Sequence, residues 1–119
     1  MALAKLGSVV LDCPDPRALA GFYAEVLGGT VEGEGDWVDV KVPGGPSLAF
    51  QAAPGHTPPR WPSPDRSQQF HLDLTVADLD TAEKEVLALG AQVLDAEDRS
   101  RSFRVYADPA GHPFCLCAC

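Results

Sequence analysis

Two stretches of the chain follow one plan, and that repetition constrains the fold more than any other feature. Laying SVVLDCPDP from Ser8 over HLDLTVADL from His71 sets Leu11 on Leu74 and Asp15 on Asp78, both at an offset of 63. Gly28 meets Gly90 at an offset of 62, so the second helix has lost one residue. Each half reads as a strand, an Asp-capped helix ending in glycine, and three more strands. A unit of about 60 residues buries little apolar surface alone, so the halves are expected to pair. The expectation is one α+β domain over 1–119, built from βαβββ modules 5–53 and 68–119 joined by a Pro-rich loop at 54–67. Its mixed, mainly antiparallel sheets should curve around a shared cavity, with the helices outside.

Local signals place the elements. A first strand is expected over 5–12, after which Asp15 and Pro16 mark a helix start, since a carboxylate accepts early amides and proline needs none. Leu19, Phe22, Tyr23, Val26 and Leu27 recur at helical spacing, and Gly28 and Gly29 end the run. Short turns between strands at 30–34, 37–42 and 47–52 favour antiparallel hairpins. Five prolines within 53–67 make that stretch a linker or a lid, with His56 and Trp61 as lid residues. In the second half a strand spans 69–76, Asp80 and Glu83 resemble a capping box, and Leu79, Ala82, Val86 and Leu89 line a helix closing at Gly90. Strands over 92–94, 102–106 and 114–119 follow, the last after a turn at 108–112 that Asp108, Gly111 and His112 shape.

Strand alternation then sorts faces. Phe70, Leu72, Leu74 and Val76 fall on one side of their strand and His71, Asp73 and Thr75 on the other. The apolar sides must meet the helices. The opposite sides line the concavity with Ser8, Val10, Asp12, Ala49, Gln51, His71, Asp73, Thr75, Cys115 and Cys117, a mixture suited to a small organic ligand. Trp37 packs across a sheet or walls the ligand. Arg104 and Tyr106 share a face that is expected to look into the concavity, which puts Phe103 and Val105 in the core. Among these residues His71 is the candidate catalytic group, able to give or take a proton, with Asp73 supporting it from the same strand.

Composition removes some partners. Seventeen acids against nine Lys and Arg give a formal charge of -8, which repels nucleic acid. No apolar run approaches the roughly 18 residues of a membrane span, and the N-terminus lacks a continuous apolar segment, so a cytoplasmic protein without membrane contact is expected. Cys115, Cys117 and Cys119 alternate along one strand and point the same way, poor geometry for local bridging; with Cys13 they are expected as free thiols.

Three segments carry a resemblance: FYAEVLGG from Phe22, FHLDLTVADLD from Phe70 and VYADPAGHPFCL from Val105. In this order and spacing they look like the glyoxalase, bleomycin-resistance and extradiol-dioxygenase superfamily, the vicinal oxygen chelate fold, over nearly the whole chain. The resemblance implies metal ligands from equivalent strands of both halves in metal-dependent members. The first ligand position corresponds to Ser8, the next to Ala49 or Gln51, the third to His71, and the final acid is replaced by Cys115. Serine and glutamine are weak donors, so no metal is expected; if one binds, zinc or iron on His71, Cys115 and Gln51 is the expected set. The resemblance thus implies a protein that binds or sequesters an apolar or aromatic compound, or alternatively a lyase, isomerase or oxygenase acting through His71. Apolar edges and the pairing habit of such proteins imply a homodimer.

Overall fold

In the first unit, residues 1–56, the chain leaves strand β1 (Ser8–Cys13) through Pro14 and enters helix α1 (Pro16–Leu27). Asp15 keeps an extended backbone and its carboxylate accepts the Ala18 amide at 3.3 Å, while Pro16 occupies a position that needs no donor. Gly28 ends the helix at φ 71°, a left-handed conformation in which any Cβ is strained. Strands β2 (Thr30–Glu32), β3 (Trp37–Lys41) and β4 (Ser47–Ala52) complete a sheet of order β1-β4-β3-β2. Strand β1 runs parallel to β4, and the other pairs are antiparallel. Helix α1 covers one face through the buried Leu19, Phe22 and Tyr23. Tyr23 stacks on Phe50 with ring centroids 5.6 Å apart, and Phe22 meets Tyr23 edge-on at 4.9 Å.

The second unit, residues 57–119, repeats the plan. It holds β5 (Leu72–Thr75), α2 (Leu79–Ala88), β6 (Gln92–Asp95), β7 (Phe103–Ala107) and β8 (Pro113–Cys117) in the order β5-β8-β7-β6. Here β5 is parallel to β8 and the remaining pairs are antiparallel. A parallel outer pair is what a helix crossover between strand and sheet requires, whereas short turns give the antiparallel pairs. The expected α+β plan of two βαβββ modules is therefore the observed one. The structure, a computed structural model, describes residues 2–3, 5–67 and 69–118. Among them no helix is long and apolar enough to cross a membrane.

Three local expectations change. Strand β5 starts at Leu72, because Gln69 adopts φ 63° and Pro113, opposite the next position of the parallel ladder, has no amide to donate. Phe70, expected beneath the helix, is consequently 69% exposed. The cap of α2 is Asp78 and not Asp80: its carboxylate accepts the Asp80 amide at 3.2 Å and the Thr81 hydroxyl at 2.6 Å. That leaves the Asp80 and Glu83 side chains for partners on β7. Between 53 and 67 the Pro-rich stretch is a loop apart from one 3-10 turn, Pro64–Arg66.

The hydrogen bonds from Thr81 and then Asp80 hold the Asp78 carboxyl below its ordinary 3.8. A lowered carboxyl pKa stabilises the fold above the unfolded value, and this contribution disappears as pH falls through the folded value. The melting temperature of Asp78→Ala should thus lie below that of the parent at neutral pH, and the gap should narrow toward about pH 2. A gap independent of pH would contradict this cap.

Candidate functional site

Strand β8 sits between β5 and β7, and its register decides which side chains meet. Asp73 lies opposite Cys115 and Cys115 opposite Val105; Thr75 lies opposite Cys117 and Cys117 opposite Phe103. Directly paired residues of a pleated sheet project to the same side, so these six share one face. Leu72, Leu74, Phe114 and Leu116 project to the other, toward α2. The first face carries a cavity of about 320 Å³ lined by Trp61, His71, Asp73, Phe103, Val105, Cys115 and Cys117.

At one edge the His71 Nε2 and Asp73 Oδ1 atoms lie 3.0 Å apart, with side chains 35% and 67% exposed. The Cys115 thiol completes a group whose candidate ligand atoms all fall within 4.8 Å of one another. Burial, followed by the charge of Asp73 and a hydrogen bond to its carboxylate, pushes the Cys115 thiol from an ordinary 9.0 up to about 11; Arg101 opposes the shift weakly. At neutral pH this is a protonated thiol, and not an activated nucleophile.

The cavity walls are aromatic. Phe103, 38% exposed, carries the Arg101 guanidinium 4.5 Å from its ring centroid, and Arg101 is in turn anchored on Asp95 at 2.9 Å. Trp61 comes from the Pro-rich loop, which rests on the turn before β8. A Cβ on Gly111, which has φ 94°, would lie 2.5 Å from the Pro58 Cβ, so only glycine lets the loop approach this closely. Within the loop the Arg60 amide donates to the Arg66 carbonyl at 2.8 Å and the Ser63 amide to the Arg60 carbonyl at 2.6 Å. The turn itself is closed by the buried Asp108, whose carboxylate accepts the amides of Ala110 and His112 at 2.8 and 3.0 Å. His112 and Asp108 thus shape the turn, as expected.

Two expectations are corrected by this register. Arg104 and Tyr106 pair with Leu116 and Phe114, so they lie beneath α2 and not in the cavity. Arg104 Nη2 donates to Asp80 Oδ1 at 2.8 Å, and the Tyr106 hydroxyl donates to Glu83 Oε1 at 2.7 Å. Burial, with Glu83 beside it, raises the Tyr106 phenol above its ordinary range. Phe103 and Val105, assigned to the core from their apolarity, are instead cavity residues. The sheet register, set by the turn through Asp108 and Gly111, was the signal that could have found them. The second correction concerns Cys117, which is disulfide-bonded rather than a free thiol. The expectation for Cys119 falls outside the described residues. Cys115 is a buried thiol, as expected. Thr75 shares the cavity face without lining the cavity.

In the first unit, Ser8, Val10 and Asp12 pair with Ser47, Ala49 and Gln51, and Trp37 pairs with Gln51. All therefore occupy the sheet face opposite to the one bearing Leu11, Val38 and Phe50, as the alternation implied. Trp37 is 45% exposed, and its indole donates to Asp39 at 3.3 Å. Ala49 is fully buried and has no donor atom; Gln51 is exposed and does. His56 belongs to this unit, its amide donating to the Ala53 carbonyl at 3.0 Å.

A family model, the glyoxalase-like domain, matches residues 8–117, and the chain belongs to that family. A glyoxalase/bleomycin resistance protein/dioxygenase family enzyme from Burkholderia phytofirmans PsJN is similar at a TM-score of 0.74 and 18% identity, covering 95% of this chain and 97% of that one. A possible glyoxalase from Bacillus cereus gives 0.71 at 14% identity, over 98% and 99% of the chains. The oxidase ChaP-H2 gives 0.68 at 21%, over 97% and 93%. These likenesses show the fold. No curated protein matches the chain. The metal positions implied by the family resemblance do not fit a metal here: an exposed Ser8 hydroxyl, a donorless Ala49 or neutral Gln51, and a thiol where an acid would stand.

A thiol whose pKa is raised on folding stabilises the protein below its unfolded value, and that contribution is lost as pH climbs to the folded value. Alkylation of Cys115 by iodoacetamide, located by peptide mass spectrometry, should be slow at neutral pH and accelerate toward about pH 11. A rate that levels off near pH 9 would show an ordinary thiol.

Proposed function

We propose that the chain binds a small apolar or aromatic molecule in the cavity of the second unit. The observation that carries this reading is the pairing of two aromatic walls, Trp61 and Phe103, with an apolar floor at Val105 and polar groups confined to the His71–Asp73 edge. A volume of about 320 Å³ is at the lower end of the range for small-ligand sites. Flat rings bury well between aromatic side chains, and a hydroxyl or ring nitrogen on the ligand would find His71 or Asp73 as its partner.

A second reading keeps the same cavity and makes His71 a proton donor or acceptor in a lyase, isomerase or oxygenase reaction. It is favoured by the contact to Asp73, because a carboxylate that fixes an imidazole is a recurrent arrangement in general acid–base catalysis. The names of the structural relatives, a dioxygenase family enzyme and an oxidase among them, are consistent with chemistry in such a cavity.

Trp37→Phe leaves Trp61 as the only indole, so its fluorescence reports the cavity. Neutral two-ring compounds such as 1-naphthol should perturb that emission saturably, and Phe103→Ala should weaken binding roughly tenfold. No saturable change across a panel of such compounds, or binding indifferent to Phe103→Ala, would contradict the binding reading. If turnover of a bound compound is found, His71→Ala should abolish it while weakening 1-naphthol binding by no more than about tenfold, the loss of one hydrogen bond; persistent turnover would remove the catalytic reading.

A further inference from the structure

We infer that the ligand of the second-unit cavity is an organic cation, an ammonium group on a flat apolar body, and that Asp73 is the residue that selects for its charge. The inference rests on the binding reading above and deepens it: cavity and aromatic walls are the same, and what is added is the charge class of the ligand.

Charge around the cavity is one-sided. Among the described residues that line it, Asp73 is the one carboxylate, and neither Lys nor Arg takes part. A carboxylate only accepts hydrogen bonds, so the His71 Nε2 atom, 3.0 Å from Asp73 Oδ1, is the nitrogen that carries a proton and donates. The Cys115 thiol, protonated at neutral pH, donates to the same group. An ionised carboxylate has about four acceptor sites, so these two donors leave room for the N–H groups of a ligand. Arg101 stands outside the lining, over the Phe103 ring, and its charge is matched by Asp95 at 2.9 Å. An anionic ligand would therefore meet the Asp73 charge with no lining cation to offset it, inside a chain of formal charge -8 that draws cations toward its surface.

The two aromatic walls divide the rest of the ligand between them. Phe103 already carries the Arg101 guanidinium at 4.5 Å, which disfavours a second cation on that ring and leaves it to stack on the flat body. Trp61 offers an indole, the ring that attracts cations best, on the same cavity. An ammonium on a short arm can thus meet Asp73 and the indole while its ring system lies against Phe103 and Val105. Because the Asp73 side chain is 67% exposed, Coulomb attraction alone adds little. The charge-assisted hydrogen bond and the indole face add to it, and together they should favour the cation over a neutral isostere by about tenfold.

Three compounds of nearly one shape test this: 1-naphthylmethylamine, 1-naphthylmethanol and 1-naphthoic acid. Their affinities for the full chain are measured by calorimetry at pH 8, where the amine is still charged and an ordinary imidazole is not. Competition with 1-naphthol shows whether they share its site. The amine should bind about tenfold tighter than the alcohol and the acid most weakly, and raising sodium chloride from about 20 to 300 mM should weaken the amine and not the alcohol. Asp73→Asn should bring the amine and the alcohol to within about twofold of each other, whereas Glu97→Gln, which removes a charge from an exposed position that does not line the cavity, should leave their ratio as it was. Circular dichroism checks the fold of both variants, and the ratio and its salt dependence in the parent stand without either. An alcohol or acid that binds as tightly as the amine, or a preference for the amine that survives Asp73→Asn, would overturn the inference. Binding of 1-naphthol and the alcohol with no advantage for the amine defeats the charge assignment and leaves the cavity reading standing, whereas no binding by any of the compounds defeats both.

Discussion

The side of β8 on which each residue falls governs everything proposed for the second unit. Its neighbours β5 and β7 are locked to it in a fixed register, Asp73 beside Cys115 and Cys115 beside Val105. A slip of one residue on β8 would carry Cys115 to the helix side and bring Phe114 into the cavity. The register is in turn held by the tight turn of Asp108, which spends its buried carboxylate on two amides of the turn, and by Gly111, which also admits the Pro-rich loop. One turn therefore fixes both the floor of the cavity and the position of its Trp61 wall.

The opposite face is settled by charge as much as by packing. Arg104, almost fully buried, reaches Asp80 at 2.8 Å and stands 3.5 Å from Glu83, while Tyr106 donates to the same Glu83. Arg99 adds weaker contacts to both acids at 3.8 and 3.6 Å. The Nε and Nη1 atoms of Arg104 are buried without a hydrogen-bond acceptor, so the group is imperfectly satisfied. Such an ion pair adds little net stability over an apolar contact, but removing one partner leaves a buried charge unmatched. Through these contacts Asp80 and Glu83 tie α2 to β7. In the first unit the same task falls to the stacked Tyr23 and Phe50, an apolar solution to an equivalent packing problem.

How much of this was legible in the sequence follows from the range of the interactions. Caps, glycine stops and strand alternation are local, and they placed the duplicated modules and assigned His71, Asp73 and Cys115 to one face. Register is not local. Arg104 and Tyr106 look like cavity residues because they are polar and alternate with Phe103 and Val105, and only pairing with Leu116 and Phe114 across the turn reverses that assignment. The capping role of Asp78 was masked by a second acid two residues later with Glu83 at capping-box spacing, although the duplication itself, aligning Asp15 with Asp78, contained the correction. Trp61 was legible as a loop residue, but its place in the cavity wall depends on the contact between Pro58 and Gly111, far apart in sequence.

Nuclear Overhauser contacts between 1-naphthol and the aromatic and methyl protons of the protein test the central assignment most directly. The account predicts contacts from the bound rings to Trp61, Phe103 and the Val105 methyls, with none to Tyr106 or Leu116. Contacts to Tyr106 or Leu116, with Phe103 and Val105 silent, would place the ligand-facing side of β7 and β8 on the wrong surface and contradict the account.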